Sequence, residues 1–178
     1  VELLRQAGCA VECVPSEVEE LVEIDGPPSA LAIANSDAKA LSVSARHPVS
    51  IVIGADTIVV LDQEVFGKPR DLAHAAEMLG RLSGRIHEVI TGVTVAHWTD
   101  RVMIRFHETT RVCFRELAAP QIDAYLAAID PLDKAGAYAA QDDGGRLIER
   151  VEGSFSNVVG LPMERTLEVL RTRFGLHV

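Results

Sequence analysis

The sequence predicts an α/β domain, close to the α+β border, built around a mixed, twisted sheet flanked by helices. Helical and strand-like stretches alternate along the chain without an internal repeat. One apolar, β-branched run, Ser50-Ile51-Val52-Ile53-Gly54, has the character of a buried strand. At 178 residues the chain is long enough for one substantial core and short for two independent ones, so a single domain over 1–178 is expected.

The elements follow in order. Leu3, Leu4 and Ala7 share one face of a short helix that stops at Gly8. A strand-like stretch, Ala10 to Val14, runs into the acidic segment Ser16-Glu17-Val18-Glu19-Glu20, and Pro27-Pro28 breaks the chain. The alanine-rich stretch from Ala30 to Ser44 reads as a helix, closed by His47-Pro48. Two strands come next, 50–54 and Thr57 to Leu61, which leaves Ala55-Asp56 at the C-terminal end of the first. Asp71 is placed to cap a helix over Leu72 to Leu82, ended by Gly84. Val89 to Ala96 and Val102 to Phe114 read as longer strands, and Pro120 falls in the first turn of a helix through Ala128. Gly136 to Gly145 is a loop region, Arg146 to Val151 a strand, and Pro162 opens a last helix to about Arg173.

Composition narrows the function classes. Hydrophobic residues at 48% and charged residues at 24% are the balance of an ordinary soluble protein, and no apolar run is long enough to span a bilayer. Val1 to Gln6 has neither the basic start nor the apolar middle of a secretory signal. Cys9, Cys13 and Cys113 are odd in number and lack the spacing of a zinc knuckle, so thiols in a reducing, cytoplasmic compartment are the simpler reading. A net charge of −9 without a basic stripe disfavours a grip on a nucleic-acid polymer. A small anionic ligand stays open, because a few local cations and a bound metal override the global field.

Four segments carry possible chemistry. In Ile53-Gly54-Ala55-Asp56-Thr57 a buried strand delivers a carboxylate to the sheet edge where open α/β sheets place ligands; Asp56 there could hold a divalent ion or take a proton from water, or simply cap a turn. Gly67-Lys68-Pro69 offers close backbone approach and a point charge for phosphate, or an ordinary turn with a solvated lysine. Glu17, Glu19 and Glu20 form either a solvated face or, if one reaches Asp56, an all-oxygen site suited to Mg²⁺ or Mn²⁺. Asp133-Lys134-Ala135-Gly136-Ala137-Tyr138, followed by Gln141, is a plain loop or a surface packed against a base, where Gln141 both donates and accepts. His87, His97 and His107 have no zinc pattern and read as surface or packing residues. These residues alone reach an α/β domain with an anion and metal cleft.

Their order adds more. Ile53-Gly54-Ala55-Asp56-Thr57, Gly67-Lys68-Pro69, Met78-Leu79, Leu82-Ser83-Gly84 with His87, and Thr91-Gly92-Val93 together resemble the signature block of the Maf nucleotide pyrophosphatases. The C-terminal half agrees, with Asp133 to Tyr138, Gln141, Gly153-Ser154 and Asn157-Val158-Val159-Gly160-Leu161-Pro162. The resemblance covers nearly the whole chain. It implies a Maf/inosine-triphosphatase-like domain with a central cleft, and a reaction that cuts a nucleoside triphosphate to the monophosphate and pyrophosphate. It places the catalytic proton acceptor on Asp56, a phosphate-contacting lysine on Lys68, an acidic partner on Glu20 and a second lysine on Lys39. A divalent cation, Mg²⁺ or Mn²⁺, is implied on Asp56 and Glu20.

Within the family, Gly-Ala-Asp-Thr with Lys-Ala-Gly-Ala-Tyr and a later glutamine resembles the branch acting on dTTP and UTP, with Thr57 and Gln141 as specificity positions. Two departures stand out. The family's opening Ser-x-Ser-Pro-Arg-Arg phosphate loop would precede Val1, so the sequence as given is expected to lack it. The family's Gly-Ile-Gln-Gly is here Ala139-Ala140-Gln141-Asp142. The expected partners are the nucleoside triphosphate and a second copy in a homodimer, with no membrane and no nucleic-acid polymer. Alternative readings are a nucleotide-binding regulator of septation or cell division that has lost catalysis, and a pyrophosphatase for methylated GTP.

Overall fold

The computed structural model describes residues 1–142 and 145–176. Six α-helices and five strands occur in the order α1 (Glu2–Gln6), α2 (Pro28–Arg46), β1 (Ile51–Leu61), β2 (Glu64–Phe66), α3 (Leu72–Leu82), β3 (Ile86–His97), β4 (Val102–Phe114), α4 (Ala119–Leu126), β5 (Ile148–Glu152), α5 (Phe155–Val159) and α6 (Met163–Phe174). Short 3₁₀ turns occupy Ala135–Ala137 and Ala140–Asp142. The strands form one sheet in the order β2-β1-β3-β4-β5.

The α/β class holds, but the sheet is antiparallel where a mixed one was expected. The connections explain the difference. β1 and β2 are joined through Asp62 and Gln63, both at positive φ (52° and 69°), the backbone of a tight hairpin whose turn matches the strand twist. Four residues link β3 to β4, far too few for the crossover that parallel neighbours need.

Two further expectations change. The stretch from Ala10 to Val14 is not a strand: it joins no strand of the sheet, and the chain that follows is tied to α2 through the Pro15 and Ser16 carbonyls instead. The two strands expected over 50–54 and 57–61 are one strand of 11 residues, with Asp56 in its middle. β2 and α5 are elements that the sequence did not suggest, whereas β4 has the expected bounds. α3 has the expected bounds and its Asp71 cap accepts from the His74 N–H at 2.7 Å. α2 begins two residues earlier than expected, at Pro28, because proline suits a first helical turn.

Two compact units divide the chain, with their boundaries inside β1, β3 and β4 and at the end of α5. The first comprises 1–56, 91–108 and 160–178. Its core gathers Leu4 of α1, Val93 and Val95 of β3, Phe106 of β4, and Leu161 and Leu170. The second comprises 57–90 and 109–159. Its core runs from Val59 and Leu61 through Met78, Leu79 and Leu82 of α3 to Phe114, Ile122, Tyr125 and Tyr138. Among the described residues, no helix is long and apolar enough to cross a membrane.

Candidate active site

In the first unit, α2 lies against strand backbone rather than strand side chains. A Cβ at Gly54 of β1 would come within 2.4 Å of the Ser36 carbonyl oxygen and 2.9 Å of the Ala40 Cβ; one at Gly92 of β3 would come within 2.4 Å of the Ala32 carbonyl oxygen. Ala32, Ser36 and Ala40 repeat at the four-residue spacing of one helix face, so small residues on the helix meet glycines on the strands. This close seating brings the neighbouring helix positions, Asn35 and Lys39, to Asp56, two residues beyond Gly54 and therefore on the same face of β1.

The contact is direct. Lys39 Nζ lies 2.6 Å from Asp56 Oδ1 and 2.7 Å from Glu20 Oε1. Asn35 Nδ2 donates to the other carboxylate oxygen of Asp56 at 3.2 Å. Asp56 is only 8% exposed, so its charge needs these donors. Burial pulls the Lys39 ammonium pKa down, but its hydrogen bonds to Asp56 and Glu20 outweigh that, and the net shift is upward. Lys39 therefore stays charged throughout the neutral range.

The acidic segment is tied along α2. The Ser42 hydroxyl donates to the Ser16 carbonyl at 2.5 Å, the Arg46 guanidinium to the Pro15 carbonyl at 2.8 Å, and Asn35 bonds both the N–H and the carbonyl of Leu21. These ties deliver Glu20, and not Glu17 or Glu19, to Lys39.

The other expected residues sit in the second unit. Thr57 follows Asp56 in β1, and strand alternation turns its side chain to the opposite face. Lys68 is exposed in the turn between β2 and α3. That turn is fastened from the Asp133 to Tyr138 stretch: the Gly136 N–H donates to the Gly67 carbonyl at 3.1 Å. Gly136 itself, at φ 69°, sits so close to Val59 that a Cβ would reach the valine methyl at 2.9 Å. Gln141 is exposed on the second 3₁₀ turn, just past a hydrogen bond from the Ala139 N–H to the Tyr125 hydroxyl at 3.0 Å. Residues 143 and 144 of the expected Gly136 to Gly145 loop lie outside the described residues. His87 is a packing residue, 1% exposed, whose Nε2 lies 2.8 Å from the Tyr138 hydroxyl.

The residues that could hold a hard cation are Asp56 and Glu20, since both carboxylates already converge on one positive charge. Among the described residues, no group of three or more His, Cys, Asp or Glu side chains is arranged to hold a metal ion. A two-carboxylate site suits an ion that completes its shell with water and phosphate oxygens, as Mg²⁺ does. Asn35 went unnoticed in the sequence. Its signal is faint: one amide beside Ser36 and Asp37 in an alanine-rich helix that carries several other polar residues.

Comparison with known proteins identifies the family. The family described as Maf-like protein matches residues 1–173. A protein of Symbiobacterium thermophilum named dTTP/UTP pyrophosphatase is 47% identical over 98% of this chain and 88% of its own length. Proteins of the same name from Bacillus cytotoxicus and Gloeobacter violaceus are 43% and 42% identical, over 96% and 95% of this chain and 88% of each relative. With the family matched over residues 1–173 and relatives at 42–47% identity over nearly the whole chain, the chain belongs to the Maf family.

Proposed function

We propose that this chain hydrolyses dTTP and UTP to the monophosphate and pyrophosphate. The observation that carries the reading is the convergence of Asp56 and Glu20 on one cation, in a chain whose relatives named dTTP/UTP pyrophosphatase align over nearly its full length. Asp56 is the general base: it takes a proton from the water that attacks the α-phosphorus, while the bond to the β-phosphate oxygen breaks and pyrophosphate leaves. Lys39 holds the carboxylates in place and, with Lys68 on the phosphates, offsets the negative charge that builds as the bond breaks. Thr57 and Gln141 read the base.

Asp56 and Glu20 fit a divalent cation, Mg²⁺ or Mn²⁺, which when bound supplies Lewis-acid charge at phosphate oxygens. The chain's own groups orient the water, accept the proton and fix the carboxylates. A cytoplasmic setting, where nucleoside triphosphates are made and consumed, suits this reaction. The reading is tested by incubating the protein with dTTP, UTP and Mg²⁺ and measuring pyrophosphate and monophosphate in equal amounts. Release of inorganic phosphate with a nucleoside diphosphate, or no release at all, would overturn it.

A further inference from the structure

Asn35 lies on the buried face of α2, 4% exposed, and all of its strong polar atoms are engaged. Its Oδ1 accepts from the Leu21 N–H at 2.8 Å, and its Nδ2 donates both to the Leu21 carbonyl at 3.0 Å and to Asp56 Oδ2 at 3.2 Å. One planar amide thus reads both backbone groups of Leu21, as a neighbouring strand would, and spends its remaining proton on the carboxylate.

Packing does not account for this residue. The same face carries the apolar Leu31, Ala32, Ala40 and Val43 and two small serines, Ser36 and Ser44, whose hydroxyls bond carbonyls of α2 itself. An asparagine there lowers helix propensity and must have its amide satisfied to avoid a desolvation cost. Glu20 meets Lys39 at 2.7 Å through its carboxylate, at the end of a long side chain. The bonds of Asn35 to the Leu21 backbone, one residue on, act with the ties of Pro15 and Ser16 to α2 to fix the chain from which that side chain starts.

We propose that Asn35 is the positioning residue of the acidic pair, holding the Glu20 backbone and the Asp56 carboxylate in register so that both carboxylates meet at one point. The proposal rests on the hydrolase reading of the site. It assigns Asn35 no contact with substrate, so its removal should lower kcat more than it raises KM, because misplacing a reacting group costs turnover.

The test uses Asn35→Leu and Asn35→Asp in the full chain, with Ser36→Ala as a comparison on the same helix face. Ser36 contributes a buried hydroxyl contact to Thr94 at 3.0 Å and touches neither carboxylate. Two readouts are taken: hydrogen exchange of the Leu21 amide, and kcat and KM for dTTP with Mg²⁺. Asn35→Leu should expose the Leu21 amide and lower kcat about tenfold to a hundredfold, with KM changed by less than about threefold. Asn35→Asp retains an acceptor for the Leu21 N–H but loses both donors and faces Asp56 with a like charge, so its kcat should fall at least as far. Ser36→Ala should lose stability while keeping Leu21 protection and kcat. Unchanged kcat in both folded Asn35 variants, or an equal loss in Ser36→Ala, overturns the proposal. A wild-type protein that releases no pyrophosphate overturns the hydrolase reading instead, and the exchange of Leu21 still decides whether Asn35 holds that backbone.

Discussion

The imidazole of His87 and the phenol of Tyr138 meet at 2.8 Å inside the second unit, and each ring also packs edge-on against Phe114. Burial lowers the His87 pKa from 6.5 to about 4. An unfolded chain therefore binds a proton at this residue between about pH 6.5 and 4 while the folded chain does not, so stability falls as pH drops through that window. The loss amounts to about 3 kcal/mol at the acid end. Urea unfolding of wild type and His87→Asn at several pH values should show their difference in stability shrinking or reversing from pH 7 to 4. A difference that stays constant with pH would mean that His87 is not held neutral.

Asp56→Asn keeps the shape of the side chain and its bond from Asn35 while removing the proton acceptor. Turnover of dTTP should fall by about 10²–10⁴ with little change in the folded structure. Activity within a few-fold of wild type would exclude Asp56 as the base.

Lys39→Met leaves Asp56 and Glu20 facing one another without the ammonium between them. The variant should unfold at a lower temperature than wild type without divalent ions, and Mg²⁺ should raise its melting temperature by more than it raises that of wild type, because binding to the folded state alone is stabilising. Differential scanning calorimetry across a Mg²⁺ series measures this. Equal shifts in the two proteins would show that the carboxylates do not share a cation site.

Base selectivity provides the fourth prediction. Gln141 can accept from the ring N–H of uracil or thymine while donating to a neighbouring carbonyl; cytosine presents an acceptor where uracil has that N–H. One mismatched polar group costs about 1–3 kcal/mol, so kcat/KM for UTP should exceed that for CTP by about tenfold to a hundredfold. Gln141→Leu should narrow the ratio. Equal kcat/KM for UTP and CTP in wild type would sink the role given to Gln141.

What could be read from the sequence followed the range of the forces involved. α3 was legible because its cap, its apolar face and its stop all lie within one stretch, from Asp71 to Gly84. The middle of β1 was not. Gly54, Ala55 and Asp56 are weak strand formers, and what keeps them in the strand lies far off in sequence: the neighbouring strand β3, and α2, where Lys39 and Asn35 are 17 and 21 residues from Asp56. The site followed the same pattern. Asp56, Glu20 and Lys39, which the structure brings together, were reachable through motif order, whereas Asn35 belongs to no motif and its bonds run to the Leu21 backbone, 14 residues away. The choice of Glu20 among three glutamates is explained by the ties of Pro15, Ser16 and Leu21 to α2.

The unbroken course of β1 bears on how this protein can change over generations. Gly54 must reach the α2 backbone, Val59 must face Phe66 across the hairpin, and Asp56 is counted off between them. One residue gained or lost between 54 and 59 would turn every later side chain to the other face, burying Thr57's successor where Val59 belongs or swinging the carboxylate away from Lys39. The segment can therefore accept replacement of one side chain at a time, whereas a change in its length breaks both contacts at once.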